Sequence, residues 1–372
     1  GTGEYGGLNN LGTNNFTAAG CPTANPCRRS FRTPGVPGVF NNSFALGPTS
    51  DRYDFAPVNL LQSPSERFNI ALMGHYDVIE GVEAFAEVFY TDSRNTSQLA
   101  PTPATGISIP VTNFFVQNSP ALLAYANSRP NPSLPLNFDR RMTEVGARIQ
   151  NNNTDVYQIN TGLRGNLGGD WELEGYYSYG RTELTTSIQN DVSRSRLNAA
   201  LAGGGTATTC APAVQALFPT CVPINLFGRG TISPAAAAFV RLNFTDRSVF
   251  ERNNFQLNLT GTLFEAPAGP VGFAGGIEYR EDVLSYTPDD AKNTGDIYGF
   301  NAERAVSGSS SSMEAYFEAA IPLLRDAPFA KSLELELGAR YSDYSTVGGV
   351  TSYKIGGSWE PVESLRLRGL YQ

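Results

Sequence analysis

Asp155-Val-Tyr-Gln-Ile-Asn-Thr-Gly-Leu-Arg-Gly-Asn-Leu-Gly-Gly-Asp-Trp-Glu-Leu-Glu-Gly-Tyr-Tyr-Ser-Tyr-Gly-Arg-Thr182 alternates apolar and polar side chains about a Gly-Gly pair. Successive side chains of a strand point to opposite faces, so Tyr157, Ile159, Thr161 and Leu163 oppose Gln158, Asn160 and Arg164. Beyond the turn at Leu167 to Asp170, Trp171, Leu173, Gly175, Tyr177 and Tyr179 oppose Glu172, Glu174, Tyr176 and Ser178. The segment therefore reads as a β-hairpin with one apolar and one polar face. Such a face covers a soluble core or meets lipid, and the remaining sequence decides between the two.

Analogous pairs flank it. Phe68, Ile70, Leu72 and Tyr76 alternate with Asn69, Met73 and His75, and Val82, Ala84, Ala86, Val88 and Tyr90 oppose Glu83, Phe85, Glu87 and Phe89. Phe255, Leu257, Leu259 and Leu263 are followed across a turn by Val271, Phe273, Ile277 and Tyr279, opposite Glu278 and Arg280. Ala315, Phe317, Ala319 and Ile321 precede Leu333, Leu335, Leu337, Ala339 and Tyr341, which oppose Glu334, Glu336 and Arg340. Tyr353, Ile355 and Trp359 lead to Leu365, Leu367, Gly369 and Tyr371. Ten strands in five hairpins make an all-β, antiparallel up-and-down meander. The turns at 77–81, 167–170, 264–270, 322–332 and 360–364 are short, whereas the connections about 92–154, 185–249 and 287–311 are long. A soluble meander has no reason to sort loops by end; a transmembrane β-barrel, with short turns on one side and long loops on the other, does so.

Aromatic spacing supports the membrane. Val82 to Tyr90, Trp171 to Tyr179, Val271 to Tyr279 and Leu333 to Tyr341 each place a Tyr eight residues after the first apolar position. Eight tilted strand residues climb roughly 20 Å, close to the roughly 25 Å apolar band of such barrels. Trp171 and Trp359 fall at the short-turn end, where amphipathic rings prefer the headgroup level.

Composition agrees. Charged residues make up 17% of the 372 residues and aromatics 11%, with 38 Gly, against roughly 25% charged residues in soluble domains. The net charge of −8, with no basic patch, argues against nucleic acid. No apolar run is long enough for a transmembrane helix, and the first residues show no signal-peptide pattern, so the expectation is that one was removed or that the chain is a piece of something longer. Cys21 with Cys27, and Cys210 with Cys221, form two local pairs expected to be disulfides of an oxidising compartment; their spacings, with no nearby His, do not suit zinc. Residues 1–65 read as an extracellular loop region and 66–372 as the partial barrel. Only Thr143 to Ile149 looks extended within the first long connection, Ser233-Pro-Ala-Ala-Ala-Ala-Phe-Val240 reads as a capped, packed loop helix, and Asn151 to Asp155 as a solvated loop rather than a calcium site.

Several stretches resemble the TonB-dependent outer-membrane receptors of Gram-negative bacteria. They are Phe55-Ala-Pro-Val-Asn-Leu-Leu-Gln-Ser-Pro-Ser-Glu-Arg67, Asn225-Leu-Phe-Gly228 with Ile232-Ser-Pro234, Glu318-Ala-Ala-Ile-Pro-Leu323, and Leu337-Gly-Ala-Arg-Tyr-Ser-Asp-Tyr344 followed by Trp359-Glu-Pro361 and Leu365-Arg-Leu-Arg368. The resemblance covers about residues 50 to 372. It implies an outer-membrane location, uptake of a scarce ligand such as a siderophore or an oligosaccharide, contact with lipid, and coupling to the TonB complex through a plug domain. The plug, the TonB-contacting segment and an aromatic-ended terminal strand are not found, so the expectation is an internal slice of a larger barrel. The polar strand faces then line the lumen, and Arg181, Glu183 and Arg280 are the expected ligand contacts near the mouth. No catalytic role is expected: His75 is the sole histidine, no phosphate-binding Gly loop occurs, and neither a cofactor nor a metal is called for. A passive porin or adhesive barrel is the alternative; a secreted carbohydrate-binding β-protein is a third reading, without a second layer to cover its apolar faces.

Overall fold

The computed structural model describes residues 7–8, 29–39 and 53–372. In chain order the elements are β1 (Gly7–Leu8), β2 (Arg29–Thr33), β3 (Val36–Val39), β4 (Ser65–Ile79), β5 (Val82–Leu99), β6 (Pro103–Ile109), α1 (Phe114–Gln117), α2 (Pro120–Asn127), β7 (Leu136–Arg141), β8 (Arg148–Gly168) and β9 (Trp171–Val192). There follow α3 (Arg194–Leu201), α4 (Pro212–Leu217), α5 (Pro234–Val240), β10 (Arg241–Ala266), β11 (Gly269–Thr287), α6 (Asp290–Asn293), β12 (Val306–Ala327), β13 (Ala330–Tyr344), β14 (Gly348–Val362) and β15 (Leu365–Tyr371).

Ten of the strands form one antiparallel sheet in the order β15-β14-β13-β12-β11-β10-β9-β8-β5-β4, the expected meander. Five of its connections are two-residue turns, between β4 and β5, β8 and β9, β10 and β11, β12 and β13, and β14 and β15. The other end carries the long connections, 100–147, 193–240 and 288–305, and one short one at 345–347. Tight turns demand unusual backbone: Gly81 and Gly169 sit at φ 78 and 63, a region costly for a residue with a Cβ.

The register keeps each face chemically uniform. Thr161 lies beside Tyr177, Leu257 beside Ile277, Phe255 beside Tyr279, and Leu333 beside Trp359, all on one side of the sheet. That side is uncovered: Leu72 is 64% exposed, Leu163 53% and Ile355 54%. An apolar face this large survives only against lipid or a partner. At its short-turn end Trp171 lies over Gly261, where an added Cβ would come within 2.5 Å of the indole, and Trp359 Nε1 donates to the Phe329 carbonyl at 2.8 Å. At the opposite rim the Tyr90 and Tyr157 rings pack 4.9 Å apart.

A second body stands on the long-loop end. β3-β2-β1-β7-β6 form a five-stranded sheet, and with α2, α3 and α5 it encloses the main cluster of fully buried apolar residues, among them Phe31, Phe138, Ile107, Leu122, Leu201 and Phe227. Phe227 of the Asn225-Leu-Phe-Gly228 stretch lies 5.3 Å from both the Phe31 and Phe138 rings. Its carbonyl accepts from Gly35 N at 2.9 Å, and Arg140, fully buried, donates to the Asn225 carbonyl and to Thr231 while pairing with Glu144 at 2.5 Å. The long connections are thus folded into a cap. Ser233 caps α5, its side chain accepting from Ala236 N, and the helix buries Ala236, Ala237, Phe239 and Val240, so it is packed as expected. Cys210 and Cys221 are joined; the expected Cys21–Cys27 pair lies outside the described residues.

Several expectations for the loops are corrected. Strands run beyond their apolar stretches, β5 to Leu99, β8 from Arg148, β9 to Val192, β10 from Arg241 and β12 from Val306, so the three long connections are shorter than 92–154, 185–249 and 287–311. Asn151 to Asp155 lie inside β8 and not in a loop: Thr96 donates to Asn151 at 2.8 Å and Thr186 to Asn152 at 3.0 Å. Of the stretch Thr143 to Ile149, Thr143 to Gly146 form a turn and only Arg148 and Ile149 are extended, as the start of β8, while the connection holds two further strands, β6 and β7. Within 1–65, residues 29–39 form a hairpin of the cap sheet, and β4 begins at Ser65. Above the rim both strand faces become polar, so alternation vanishes although the backbone ladder continues.

Candidate functional site: the concave face of the sheet

Strict alternation brings one set of side chains from β4, β5, β8, β9 and β10 around a groove of about 710 Å³, lined by His75, Phe85, Glu87, Gln158, Asn160 and Tyr176 among others. A groove shared by five strands places this polar face on the hollow side of the sheet. Tyr316 of β12 confirms the curvature: its hydroxyl reaches Asn258 Oδ1 on β10 at 2.7 Å, past the intervening β11. Arg340 of β13 likewise spans to Glu278 of β11 at 2.7 Å.

Amides and phenols link side to side along the groove. Tyr176 donates to Gln256, Gln256 donates to Asn258 at 2.9 Å, Ser178 donates to Asn160 at 2.6 Å, and Asn160 donates to Glu87 at 3.2 Å. His75, 72% exposed at its side chain, shares a hydrogen bond with Glu83 at 2.9 Å, and Arg164 pairs with the same carboxylate at 2.5 Å. No acid, base and nucleophile converge there, as a triad would require. Among the described residues, no group of three or more His, Cys, Asp and Glu is arranged to hold a metal ion.

Toward the long-loop end the same face carries an ion-pair mesh. Glu314, almost wholly buried, accepts from Arg340 at 2.5 Å, from Ser342 at 2.7 Å and from Ser312 at 2.9 Å. Arg280 approaches Glu314 at 3.9 Å and Asp282 at 3.7 Å, and Arg252 grips Asp282 through two hydrogen bonds of 2.6 and 2.9 Å. Of the three expected ligand contacts, Arg280 therefore does look into the hollow.

Arg181 and Glu183 do not. They share the face of Tyr177 and Tyr179, and β9 keeps its register with β10 from Glu172 to Ile188. Arg181 pairs with Glu251 at 2.5 Å and with Glu183 at 3.0 Å, Glu183 pairs with Arg247 at 2.5 Å, and Tyr179 donates to Glu251 at 2.9 Å. This mesh sits on the outer wall above the aromatic rim. The expectation that both residues line the mouth is corrected by parity: odd positions of β9 face outward along its whole regular length. Gln158 and Asn160 of the amide row lie on the polar face expected from the sequence, whereas Glu314 and Tyr316 were passed over although each has the parity opposite to Ala315 and Phe317.

In the connection beyond β11, Lys292 is mostly buried and pairs with Asp246 at 2.8 Å and Glu303 at 3.0 Å, with the Tyr286 hydroxyl at 3.1 Å. Burial opposes its charge, but these hydrogen bonds outweigh the burial and hold the ammonium above its ordinary range. Hydrogen bonds from Tyr286 and Lys292 keep the Glu303 carboxyl below the usual carboxylate range. Arg129, inside the cap, donates to four backbone carbonyls, those of Ala126, Pro132, Leu134 and Pro135, and burial lowers its pKa.

The family model described as TonB dependent receptor-like, beta-barrel, matches residues 107–372. The chain belongs to that family, one of receptors and not of enzymes. No curated protein matches it. Among solved structures it is similar to the ferric-catecholate import receptor Fiu of E. coli K12, in the closed form with 12% identity over 82% of this chain and 42% of that one, TM-score 0.42. The open form gives 13% identity over 82% and 46%, TM-score 0.40. The translocator domain of the autotransporter NalP from Neisseria meningitidis gives 11% identity over 82% and 80%, TM-score 0.23. The chain spans less than half the length of either Fiu structure.

Proposed function

We propose that this chain forms roughly half the barrel wall and part of the extracellular cap of an outer-membrane receptor that imports a scarce ligand with energy transmitted by the TonB complex. The observation that carries the reading is the two-faced ten-stranded wall whose long connections, all at one end, are folded into a compact cap. In this reading the apolar face meets outer-membrane lipid, the cap faces outward, and the concave face surrounds a plug domain contributed by the rest of the parent protein. The ligand, a small molecule or oligosaccharide, is met first at the cap and the upper concave face, where Arg280 stands.

Uptake of labelled ligand by cells expressing the full-length receptor tests the proposal. Import should cease when the proton-motive force is collapsed or TonB is deleted, while surface binding persists. Import that continues unchanged identifies a passive porin, and surface attachment with no import an adhesive barrel.

A further inference from the structure

Wall and cap meet at the upper end of β9, and a carboxyl group joins them there. Asp191 stands well beyond the aromatic rim, between Ile188 of the small cluster at the wall top and Val192 of the cap core, and it has no solvent exposure. Its Oδ1 accepts from the Thr102 hydroxyl at 2.6 Å and from Val192 N at 2.9 Å. Its Oδ2 has no hydrogen-bond partner among the described residues. Thr102 lies in the segment by which the chain leaves β5 for the cap, and each residue of that segment is tied down. The carbonyls of Ala100, Pro101 and Thr102 accept from Arg148 Nε at 3.0 Å, from the Arg141 guanidinium at 2.8 Å and from Met142 N at 3.0 Å.

The charged groups on the elements packed around Asp191 are committed to other partners. Arg148 of β8 is the cation whose field reaches it, but that side chain is held by the Ala100 carbonyl. Arg141 of β7 lies over the Tyr53 ring, and Arg241 of β10 donates to the Val145 carbonyl at 2.9 Å. Leu242, opposite Asp191 in the register, brings no charge. Glu144 pairs with Arg140 at 2.5 Å, and Asp296 accepts from Ser193 and Ser195. An ionised Asp191 would be a buried charge with one oxygen unmatched. The neutral acid keeps both bonds to its carbonyl oxygen and leaves one uncharged hydroxyl without a partner, which costs far less. Burial accordingly raises the pKa of this carboxyl, against the opposing pull of Thr102, Val192 N and Arg148.

We propose that Asp191 is a protonation latch between wall and cap: as the neutral acid it holds the 100–102 segment against the end of β9, and its ionisation releases that segment. Water reaches an ionised Oδ2 only when the segment lifts, so the charge and the closed junction exclude each other. The folded pKa lies above the unfolded one, so the latch is complete below the ordinary carboxylate range and is lost as pH rises through the raised value. Glu303, whose carboxyl is shifted the other way, gives the 288–305 connection a dependence of opposite sign. The latch is a property of the cap and requires nothing of the transported ligand.

The test is hydrogen exchange of the full-length protein in detergent between about pH 3 and about pH 9, each amide's rate being compared with that of an unstructured peptide at the same pH. Protection at Met142 and Val192 should fall fivefold or more from the acid to the alkaline end, while amides of β10 and β11 at mid-height keep theirs. Asp191→Asn, which preserves the acceptor and cannot ionise, should hold the acid-side protection throughout. Thr102→Val removes a donor that favours the charged form, so the midpoint of the step should move to higher pH. Equal protection at both ends of the range, or a step that survives in Asp191→Asn, overturns the latch. So does a Thr102→Val midpoint that stays in place or falls, and this variant decides the matter if Asp191→Asn does not fold.

Discussion

The wall and the cap solve the problem of apolar surface in opposite ways. In the wall, Leu72, Tyr76, Leu163, Phe317 and Ile355 are each at least 50% exposed. In the cap, Phe31, Phe138, Leu122, Leu136 and Leu201 have no exposure at all. The wall is a single layer: its eight inner strands satisfy their backbone through neighbours on both sides, and in the proposed receptor its apolar side chains meet lipid. The cap stands where lipid ends, so it has to make its own core from segments distant in the chain, residues 29–39 meeting 103–145 and 193–240. A barrel needs only alternation; a cap needs close packing.

This contrast yields outcomes that should differ between the two bodies. Phe227→Ala removes a ring in contact with Phe31 and Phe138 and should destabilise the cap by about 3–5 kcal/mol. Limited proteolysis should then cut within 100–147 or 193–240, while the folded barrel keeps its heat-modifiable migration in electrophoresis. Concerted loss of wall and cap would show that they are one cooperative unit.

Leu337→Arg, at mid-height on the outer face between Leu333 and Tyr341, should cost about 2–4 kcal/mol of folding into vesicles. The adjacent Glu336→Arg faces the hollow and should cost far less. Denaturant titrations of the two variants in lipid measure the difference directly, and equal costs would contradict the assignment of faces.

Opening the Cys210–Cys221 bridge, with 11 residues of separation, should lower cap stability by about 2–3 kcal/mol on the chain-entropy account. Hydrogen exchange should rise around α4 and spare β8 to β11. Exchange rising equally in the wall would argue against a separate cap.

The smallest expected effect is one of pH. Glu303 has a folded pKa below its unfolded value, so its contribution is complete above the unfolded value and is lost as pH falls through the depressed one. Its side chain is 43% exposed, so solvent screens the pair and the change should be modest. Exchange of backbone amides in 288–305 should accelerate below the ordinary carboxylate range in the native protein, and Glu303→Gln should abolish that step.

Much of the wall is legible in the sequence. Period-two alternation, repeated in each hairpin, specified the strand order, the faces and the end at which turns are short, because register is pinned wherever one face is apolar and the other polar. The hollow was partly legible: Glu83, Glu87, Glu174 and Arg280 follow from parity, and so would Glu314 and Tyr316. Arg181 and Glu183 are at a strand top, as expected, but their odd positions in β9 put them on the outer face, because above the aromatic rim both faces are polar and height alone does not tell them apart. The cap was almost illegible apart from α5, whose Ser233-Pro234 start carries its own signal. Its strands β2, β3, β6 and β7 are short, and what alternation they have spans only a few residues, as in Ile107-Ser108-Ile109 and Leu136-Asn137-Phe138-Asp139.

The sequence by itself determined an antiparallel meander with one apolar and one polar face, because those properties reside in local periodicity and in the chemistry of neighbouring side chains. Only the tertiary structure decided that the long connections build one packed cap around Phe31, Phe138 and Phe227, and that Arg140 and the Asn225 to Gly228 segment lock it. It also decided which charges meet across strands, as Arg340 meets Glu278 and Arg181 meets Glu251. Those contacts join residues dozens of positions apart, and no local pattern encodes the distance at which they meet.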